Sequence, residues 1–249
     1  MEASKVIDTP IAMAIRLDMD ETGSPINQTM YRGFIGSLLY LTASIPDIIF
    51  NVGLCVRFQS NPKESHLKAA KRILRYLKGT QDLVLYYPSG DSFNLIGYDD
   101  ADYASYLVDM KGTSGMTHFL GSCLISWGRR KQNLVAFSTA EVEYVAAASY
   151  CAQLLWIKQQ MEDFVVFTKC VPLLCDNTSA LNMTNNPVQH KRTKHIDVRH
   201  HFLRDNVEKG LISMKFYSTE DQIADIFTKA LSRKHFERNR VKLGLLKPN

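Results

Sequence analysis

Four carboxylates stand out in the sequence because each lies where a strand or a helix would hold it in place. Asp100 follows the strand-like run FNLIGYD, and Asp176 ends the apolar run VPLLCD. Glu143 lies in the first turn of a predicted helix, in phase with that helix's small and apolar residues, so its side chain is expected to face inward. Asp225 lies on a predicted final helix, DQIADIFTKAL. These four side chains are candidates for one site.

Carboxylates that meet in one site favour metal chemistry. They repel one another and raise one another's pKa unless a cation neutralises them. Oxygen ligands suit Mg²⁺ or Mn²⁺, and two such ions about 4 Å apart can activate a water and stabilise the leaving oxygen of a phosphodiester. Taken singly, Asp176 and Asp225 are better explained as caps of a helix or a turn, and a first-turn glutamate complements the helix dipole. The pattern alone leaves both interpretations open.

The elements that must position these residues fall into two regions. Residues 1–28 are an irregular lead-in, and residues 29–85 have helical periodicity. Pro46 splits the first two predicted helices, since proline fits a first helical turn. Asn61–Pro62 separates the second helix from a third, which ends at Gly79.

The second region, residues 86–232, begins with short strand-like runs and then alternates. The runs are LVLYY, FNLIGY, SGMTHFLG, CLISWG and LVAFS. A long helix follows, then a strand, a short helix TSALNMT, a helix from Thr193 to Lys209, a strand LISMKFYS and the final helix. The predicted order is β-β-β-α-β-α-α-β-α, and residues 233–249 form a basic helical tail.

The start of the long helix is marked by Ser138 and Glu141. Their S-x-x-E spacing is typical of a capping box. Glu141 lies about 200° around the helix from Glu143 and is expected to face solvent.

Composition sets the limits of these interpretations. The 249 residues are 45% hydrophobic and 22% charged, which excludes collagen, a coiled coil and wholesale disorder. No apolar run reaches the length of about 18 residues that a membrane span needs, so no membrane partner is expected. Five cysteines without framework spacing favour a reducing compartment. Cys170 and Cys175 have no second pair, which disfavours a zinc site.

The motifs of the second region resemble a known family. The stretches YDDADYAS, KGTSGMTHFLGSCLISWGRRKQNLVAFSTAEVEYVAAAS, CDNTSAL, RTKHIDVRHHFLRD and TEDQIADIFTKAL closely resemble the ribonuclease H domain of copia-type retrotransposon Pol polyproteins, in family order. Upstream, YRGFIGSLLYLTASIPDIIFNVG and ESHLKAAKRILRYLKGT look like the thumb and connection of the same reverse transcriptases. The resemblance implies an α/β fold: a ribonuclease-H-like mixed five-stranded sheet flanked by helices, preceded by a small helical thumb-like segment.

The resemblance also implies an activity, endonucleolytic hydrolysis of the RNA strand of an RNA–DNA hybrid with two Mg²⁺ or Mn²⁺ ions. The implied ligands are Asp100, Glu143, Asp176 and Asp225. The first corresponds to the aspartate of the family's S-D-A-D motif, here Asp99-Asp100-Ala101-Asp102, and its two acidic neighbours stay open as alternatives. The expected partners are the hybrid and other parts of the polyprotein. The expected location is the cytoplasm, with a virus-like particle or the nucleus as alternatives.

The chain departs from related sequences in three places. Tyr103-Ala104-Ser105 stands where the family has Trp-Ala-Gly after the second aspartate. Many cellular ribonucleases H carry a histidine in the loop before the last aspartate, and residues 217–220 contain none. The Tyr-x-Asp-Asp motif of a polymerase palm does not precede the thumb-like segment, so no DNA polymerase activity is expected. An alternative function is therefore a catalytically silent fragment that only binds nucleic acid.

Basic residues suggest where nucleic acid would bind. Residues 56–79 hold seven Lys or Arg against one acid, within a net charge of +5. The candidate phosphate contacts are Lys68, Lys71, Arg72 and Arg75 on the third helix and Arg129, Arg130 and Lys131 at a strand end. Asn177 is a candidate for a 2′-hydroxyl contact. The alternatives are a merely solvated helix face and, for Asn177, a helix-start residue.

Four histidines near the end of the second region are candidates for a zinc site. His190, His195, His200 and His201 lie in one segment, but the last two are expected to point to different faces. A zinc site needs ligands one helical turn apart and a third donor, so this spacing disfavours one.

Overall fold

The computed structural model describes residues 4–13, 17–90, 92–103, 110–133, 135–185 and 201–248. The chain divides into two compact units. The first comprises Met1–Tyr86 and Lys229–Asn249, and the second comprises Tyr87–Thr228. The helix from Thr193 to Lys209 lies partly outside the described residues, as do His190, His195 and His200. No helix in the described ranges is long and apolar enough to cross a membrane.

The first unit begins with the predicted helices. They are α1 (Gln28–Leu41), a 3₁₀ turn (Pro46–Ile48) that leads into α2 (Ile49–Val56), and α3 (Glu64–Lys78). The Asn27 side chain accepts a hydrogen bond from the Met30 amide at 2.8 Å and so caps α1. The predicted split at Pro46 and the end of α3 before Gly79 are confirmed. The apolar faces of these helices bury Tyr31, Ile35, Leu38, Ile48, Val52, Ile73 and Tyr76.

The C-terminal residues complete the first unit. They form α7 (Arg233–Lys242) and the short strand β7 (Leu245–Leu246), which pairs antiparallel with β1 (Val84–Leu85). The prediction that LVLYY is a strand of the second region is therefore wrong. Its two paired residues belong to the small two-stranded sheet of the first unit.

A buried polar chain links three elements of the first unit. The Tyr76 hydroxyl donates a hydrogen bond to the Asp47 carboxylate, and Arg240 donates to the Tyr76 oxygen at 3.3 Å. Asp47 is 1% exposed. Burial raises the pKa of Asp47 to about 6, although the Tyr76 hydrogen bond and the Arg240 charge oppose that rise.

The second unit is built on a mixed five-stranded sheet. Its strands are β2 (Leu95–Asp102), β3 (Thr113–Leu120), β4 (Cys123–Lys131), β5 (Val171–Cys175) and β6 (Ile212–Phe216). The order is β4-β3-β2-β5-β6; the first three are antiparallel, and β5 is parallel to both β2 and β6. The mixed five-stranded sheet expected from the sequence is confirmed.

Helices flank this sheet. They are α4 (Thr139–Asp163), α5 (Thr178–Asn185) and α6 (His201–Glu208). The helix α4 packs across β2, and each fully buried leucine in that contact, such as Leu154, contributes about 1.5–3 kcal/mol. The core between helix and sheet includes Leu95, Ala147, Cys151, Leu154, Ile157, Val171, Leu173 and Leu203.

The start of α4 differs from the prediction in two respects. The Ser138 side chain accepts from the Glu141 amide at 3.2 Å, as in a capping box. Glu141, however, is buried rather than facing solvent, because its carboxylate folds back and accepts from the Phe137 amide at 2.8 Å. The LVAFS strand is wrong for residues 135–138, where the backbone leads into this cap instead of a sheet ladder.

The predicted final helix DQIADIFTKAL is also wrong in type. It forms two 3₁₀ turns, Thr219–Asp221 and Ile223–Phe227. Gln222 between them has an extended ψ of 112°, and its side chain donates to the Asp99 carbonyl at 2.9 Å. This bond to the sheet replaces the continuous local bonds of an α-helix.

Candidate metal centre

The carboxylates of Asp100, Glu143 and Asp176 meet at one edge of the main sheet. One oxygen of each lies within 4.8 Å of an oxygen of the others. The strands β2 and β5 are parallel, so Asp100 near the end of one and Asp176 just beyond the other reach the same edge. Glu143 descends to them from the first turn of α4. Asp100 and Glu143 are buried, whereas Asp176 is half-buried and forms the accessible side of the triad.

The phase of β2 sends its two consecutive aspartates to opposite faces of the sheet. A Cβ on Gly97 would meet Leu173 and Leu154, so that face is the one under α4, and Asp99 shares it. Asp100 points to the other face, where the Thr228 hydroxyl donates to its Oδ2.

The segment that carries Asp225 is held against β2 at both ends. Gln222 bonds the Asp99 carbonyl, and Thr228 bonds the Asp100 carboxylate. Close approach is possible because Gly115 lies opposite Asp100 in β3; a Cβ there would come within 2.8 Å of side-chain atoms of Phe227 and Thr228. Asp225 itself is buried on this segment, and it is not a member of the 4.8 Å triad found among the described residues.

The electrostatics of the triad centre on Glu143. Burial raises the pKa of Glu143 well above its usual value, and the negative charges of Asp100, Asp99 and Asp176 raise it further. A hydrogen bond from the Ala101 backbone opposes that rise. A divalent cation between these oxygens would relieve both the desolvation and the repulsion. The all-oxygen donor set therefore fits Mg²⁺ or Mn²⁺.

Asp99, which the sequence leaves open as an alternative to Asp100, has a different set of neighbours. Its carboxylate lies in a second triad, with Glu143 and Cys175, whose ligand atoms are also within 4.8 Å of one another. Burial raises the pKa of Asp99 well above its usual range, and Asp100 and Asp176 add to the effect. The signal was present in the sequence: alternation along VPLLCD puts Cys175 inward, beside the inward-facing phase of β2.

The candidate phosphate contacts lie in both units. On α3, Lys68 is exposed and pairs with Glu64 at 3.0 Å, while Arg72 is half-buried and donates to the Thr9 hydroxyl at 3.2 Å. Lys71 is exposed and Arg75 is half-buried on the same helix.

In the second unit, the candidate contacts lie on β4 and at the start of α5. On β4, Arg130 is exposed, and its neighbours Arg129 and Lys131 are half-buried. The Asn177 side chain accepts from the Ala180 amide at 3.0 Å, so it serves as the cap of α5.

Comparison with known proteins identifies the family of the chain. No protein-family model matches it. It is 37% identical over 246 residues to the retrovirus-related Pol polyprotein from transposon RE1 of Arabidopsis thaliana, and 36% identical over 248 residues to that from transposon RE2 of the same plant. The alignments cover 98% and 99% of this chain. The chain belongs to the copia-type retrotransposon Pol polyprotein family.

This Pol-family chain spans 17% of the length of each of these relatives. Among solved structures, it is similar to a ribonuclease H from the halophilic archaeon Halobacterium salinarum, at 14% identity and a TM-score of 0.36. That alignment covers 54% of this chain and 94% of the archaeal one. The Pol-family membership rests on the sequence relatives and the fold on the observed sheet order.

Proposed function

We propose that the second unit is a ribonuclease H that cuts the RNA strand of RNA–DNA hybrids, as part of a retrotransposon reverse transcriptase. The observation that carries the proposal is the convergence of Asp100, Glu143 and Asp176 at the carboxyl edge of β2 and β5. Membership in the Pol family supports the assignment of this site to nucleic acid chemistry.

The proposed cofactor is a pair of divalent ions, Mg²⁺ or Mn²⁺, held by Asp100, Glu143, Asp176 and Asp225. Bound there, the ions would supply an activated water and stabilise the leaving oxygen of the phosphodiester.

The chain's own residues set the geometry of this site. Thr228 fixes the orientation of Asp100, and the bonds of Gln222 and Thr228 hold the Asp225 segment against the sheet. The scissile phosphate approaches from the side of Asp176, because the other carboxylates of the triad are buried.

Substrate binding is assigned to the basic residues. In this proposal Lys68, Lys71, Arg72, Arg75, Arg129, Arg130 and Lys131 contact phosphates, which gives affinity that depends on salt and not on sequence. Asn177 is a weaker candidate for a 2′-hydroxyl contact, because its side-chain oxygen already caps α5.

The test is cleavage of a hybrid labelled on its RNA strand, with Mg²⁺ or Mn²⁺, by the full chain and by Asp176→Asn. The proposal expects metal-dependent cleavage by the wild type and little by the variant. Equal cleavage by both would refute the metal assignment.

A second candidate function is favoured by one observation. Burial and the charges of Asp100, Asp99 and Asp176 raise the pKa of Glu143 well above its usual value, which favours the protonated acid over the carboxylate that a metal ligand requires. A fragment that only binds nucleic acid would bind the hybrid in a gel-shift assay at low salt and leave its RNA strand intact with either metal.

A further inference from the structure

Among the described residues of the second unit, Asp99 is the most deeply buried acid that the proposed reaction does not use. Its side chain lies under α4 and is 0% exposed. In the described part of the chain, neither of its carboxylate oxygens accepts a hydrogen bond from another residue. A buried carboxylate without donors is strongly unfavourable, so a native structure that keeps one has to compensate it.

The neighbours of Asp99 are two other potential ligands. Cys175 ends β5 beside β2, and Glu143 reaches down from α4; the Cys175 sulfur and one oxygen of each acid lie within 4.8 Å of one another. All three residues are buried. The Oε2 atom of Glu143 likewise accepts no hydrogen bond within the described ranges. The Cys175 sulfur accepts a hydrogen bond from the Asn177 amide at 3.5 Å, so the atoms of the triad that lack a protein donor in the described part of the chain are the carboxylate oxygens.

The spacing and the donor types fit a particular class of cation. Zinc binds carboxylate oxygen at about 2.0–2.2 Å and cysteine sulfur at about 2.3 Å, which puts tetrahedral ligand atoms roughly 3.3–3.8 Å apart. Side chains already within 4.8 Å reach that spacing with small rotations. A thiolate favours thiophilic cations over Mg²⁺, so Cys175 separates this triad chemically from the all-oxygen triad of Asp100, Glu143 and Asp176.

We propose that Asp99, Glu143 and Cys175 form a binding site for a thiophilic divalent cation of the Zn²⁺ class. The site lies on the α4 side of the sheet and shares Glu143 with the all-oxygen triad. The cation supplies the positive charge that the buried carboxylates lack, and it displaces the proton of the Cys175 thiol. The binding claim does not depend on nuclease activity.

The test uses Co²⁺ as a spectroscopic probe of the purified, reduced, metal-free full chain. Thiolate coordination gives a sulfur-to-cobalt charge-transfer band that oxygen ligands do not give. We expect this band to saturate at one Co²⁺ per chain and to disappear when Zn²⁺ is added. Absence of the band in the reduced wild type would overturn the proposal, and it would indicate that Asp99 and Glu143 are instead compensated by a shared proton.

Matched variants locate the site. Cys175→Ala should abolish the band. Cys151→Ala removes a different buried thiol, which lies on α4, and should retain the band. Asp176→Asn removes a ligand of the all-oxygen triad but no ligand of this one, and should also retain the band. Persistence of the band in Cys175→Ala, or its loss in either control, contradicts the assignment.

Asp99→Asn gives an independent arm if Cys175→Ala fails to fold by circular dichroism. The substitution keeps the shape of the side chain but removes its charge. We expect Co²⁺ affinity to fall by about tenfold or more, and wild-type affinity would overturn the proposal. None of these measurements uses nucleic acid. Cobalt binding can therefore be absent while hybrid cleavage is observed, and cobalt binding can be present without cleavage.

Discussion

Asp47 in the first unit and Asp99 in the second are both aspartates with almost no exposed surface, and their surroundings are opposite. Asp47 accepts a hydrogen bond from the Tyr76 hydroxyl, and the oxygen of that hydroxyl accepts one from Arg240. Asp99 receives none from another described residue, and its near neighbours Asp100 and Asp176 are acids. The first carboxylate is thus built into a donor network, and the second is placed among further acids.

This difference separates a structural carboxylate from a functional cluster. A donor and a cation can make a buried acid part of the fold. Acids gathered without donors are compensated by a bound cation or by protonation, and perturbed groups of this kind concentrate at functional sites. The comparison therefore predicts that substitutions will affect stability in the first unit and metal-dependent properties in the second.

The largest expected effect is that of Glu143→Gln on hybrid cleavage. Glu143 belongs to both triads, so losing its charge should lower the cleavage rate at least a hundredfold, since loss of outer-shell partners alone costs about 10–100-fold. The free energy of unfolding of the metal-free protein should not fall, because a poorly compensated buried charge has been removed. Glu141→Gln, in the same helical turn, is the control and should cleave normally. Cleavage by Glu143→Gln at the wild-type rate would contradict its role.

The next effect is a pH dependence of stability caused by Asp47. Its pKa is about 6 in the folded protein and 3.8 without the protein environment, so the folded state binds more protons between these values. Its contribution to stability is therefore complete below about pH 4 and is lost as pH rises through about 6. Relative to Asp47→Asn, wild type should lose roughly 1–3 kcal/mol over this range, at about 1.4 kcal/mol per pKa unit. Urea unfolding at several pH values measures it, and an increase in relative stability with pH would refute the assignment.

A smaller effect is expected from Thr228→Val. The substitution keeps the shape of the buried side chain but removes the hydroxyl that donates to Asp100. Unfolding free energy should fall by about 1–2 kcal/mol, and Mg²⁺ affinity, measured by calorimetry, should fall by about tenfold. Thr184→Val is a matched control, since that buried hydroxyl bonds only its own helix at Ala180. Equal Mg²⁺ affinities for wild type and Thr228→Val would show that the bond does not orient the ligand.

The smallest effect is expected from Lys68→Gln on α3. Its ion pair with Glu64 is exposed, so stability should change by less than about 0.5 kcal/mol. Hybrid affinity should weaken, and the slope of log affinity against log salt should decrease by about one. Glu64→Gln breaks the same pair but keeps the lysine, and should not weaken hybrid binding. An unchanged salt slope in Lys68→Gln would remove this lysine from the interface.

The order of strands and helices was predictable because it depends on local signals. Apolar runs of strand length, the cap at Ser138 and the proline at position 46 act within a few residues of themselves. The same signals put Asp100 and Asp176 at strand ends and turned Glu143 inward, whereas the meeting of the three carboxylates was implied only by the family resemblance.

The errors arise where distant parts of the chain decide the conformation. The Gln222 side chain bonds a backbone carbonyl 123 residues away, and the segment around it does not form the predicted α-helix. Glu141 is buried because its carboxylate serves the backbone of Phe137 and not water. Asp99 was assigned to the face away from the site, and alternation is correct about that face; it does not reveal that Glu143 lies close to both aspartates. Such contacts depend on tertiary packing, which no periodicity encodes.

The pairing of β1 with β7 has a consequence for the order of folding during synthesis. The first unit needs residues 229–248, the last described part of the chain to leave the ribosome, whereas the second unit is one continuous stretch. The stretch that lies in the middle of the chain can therefore finish folding while the earlier helices still await their closing strand. Residues 1–86, although made before the second unit, are completed after it.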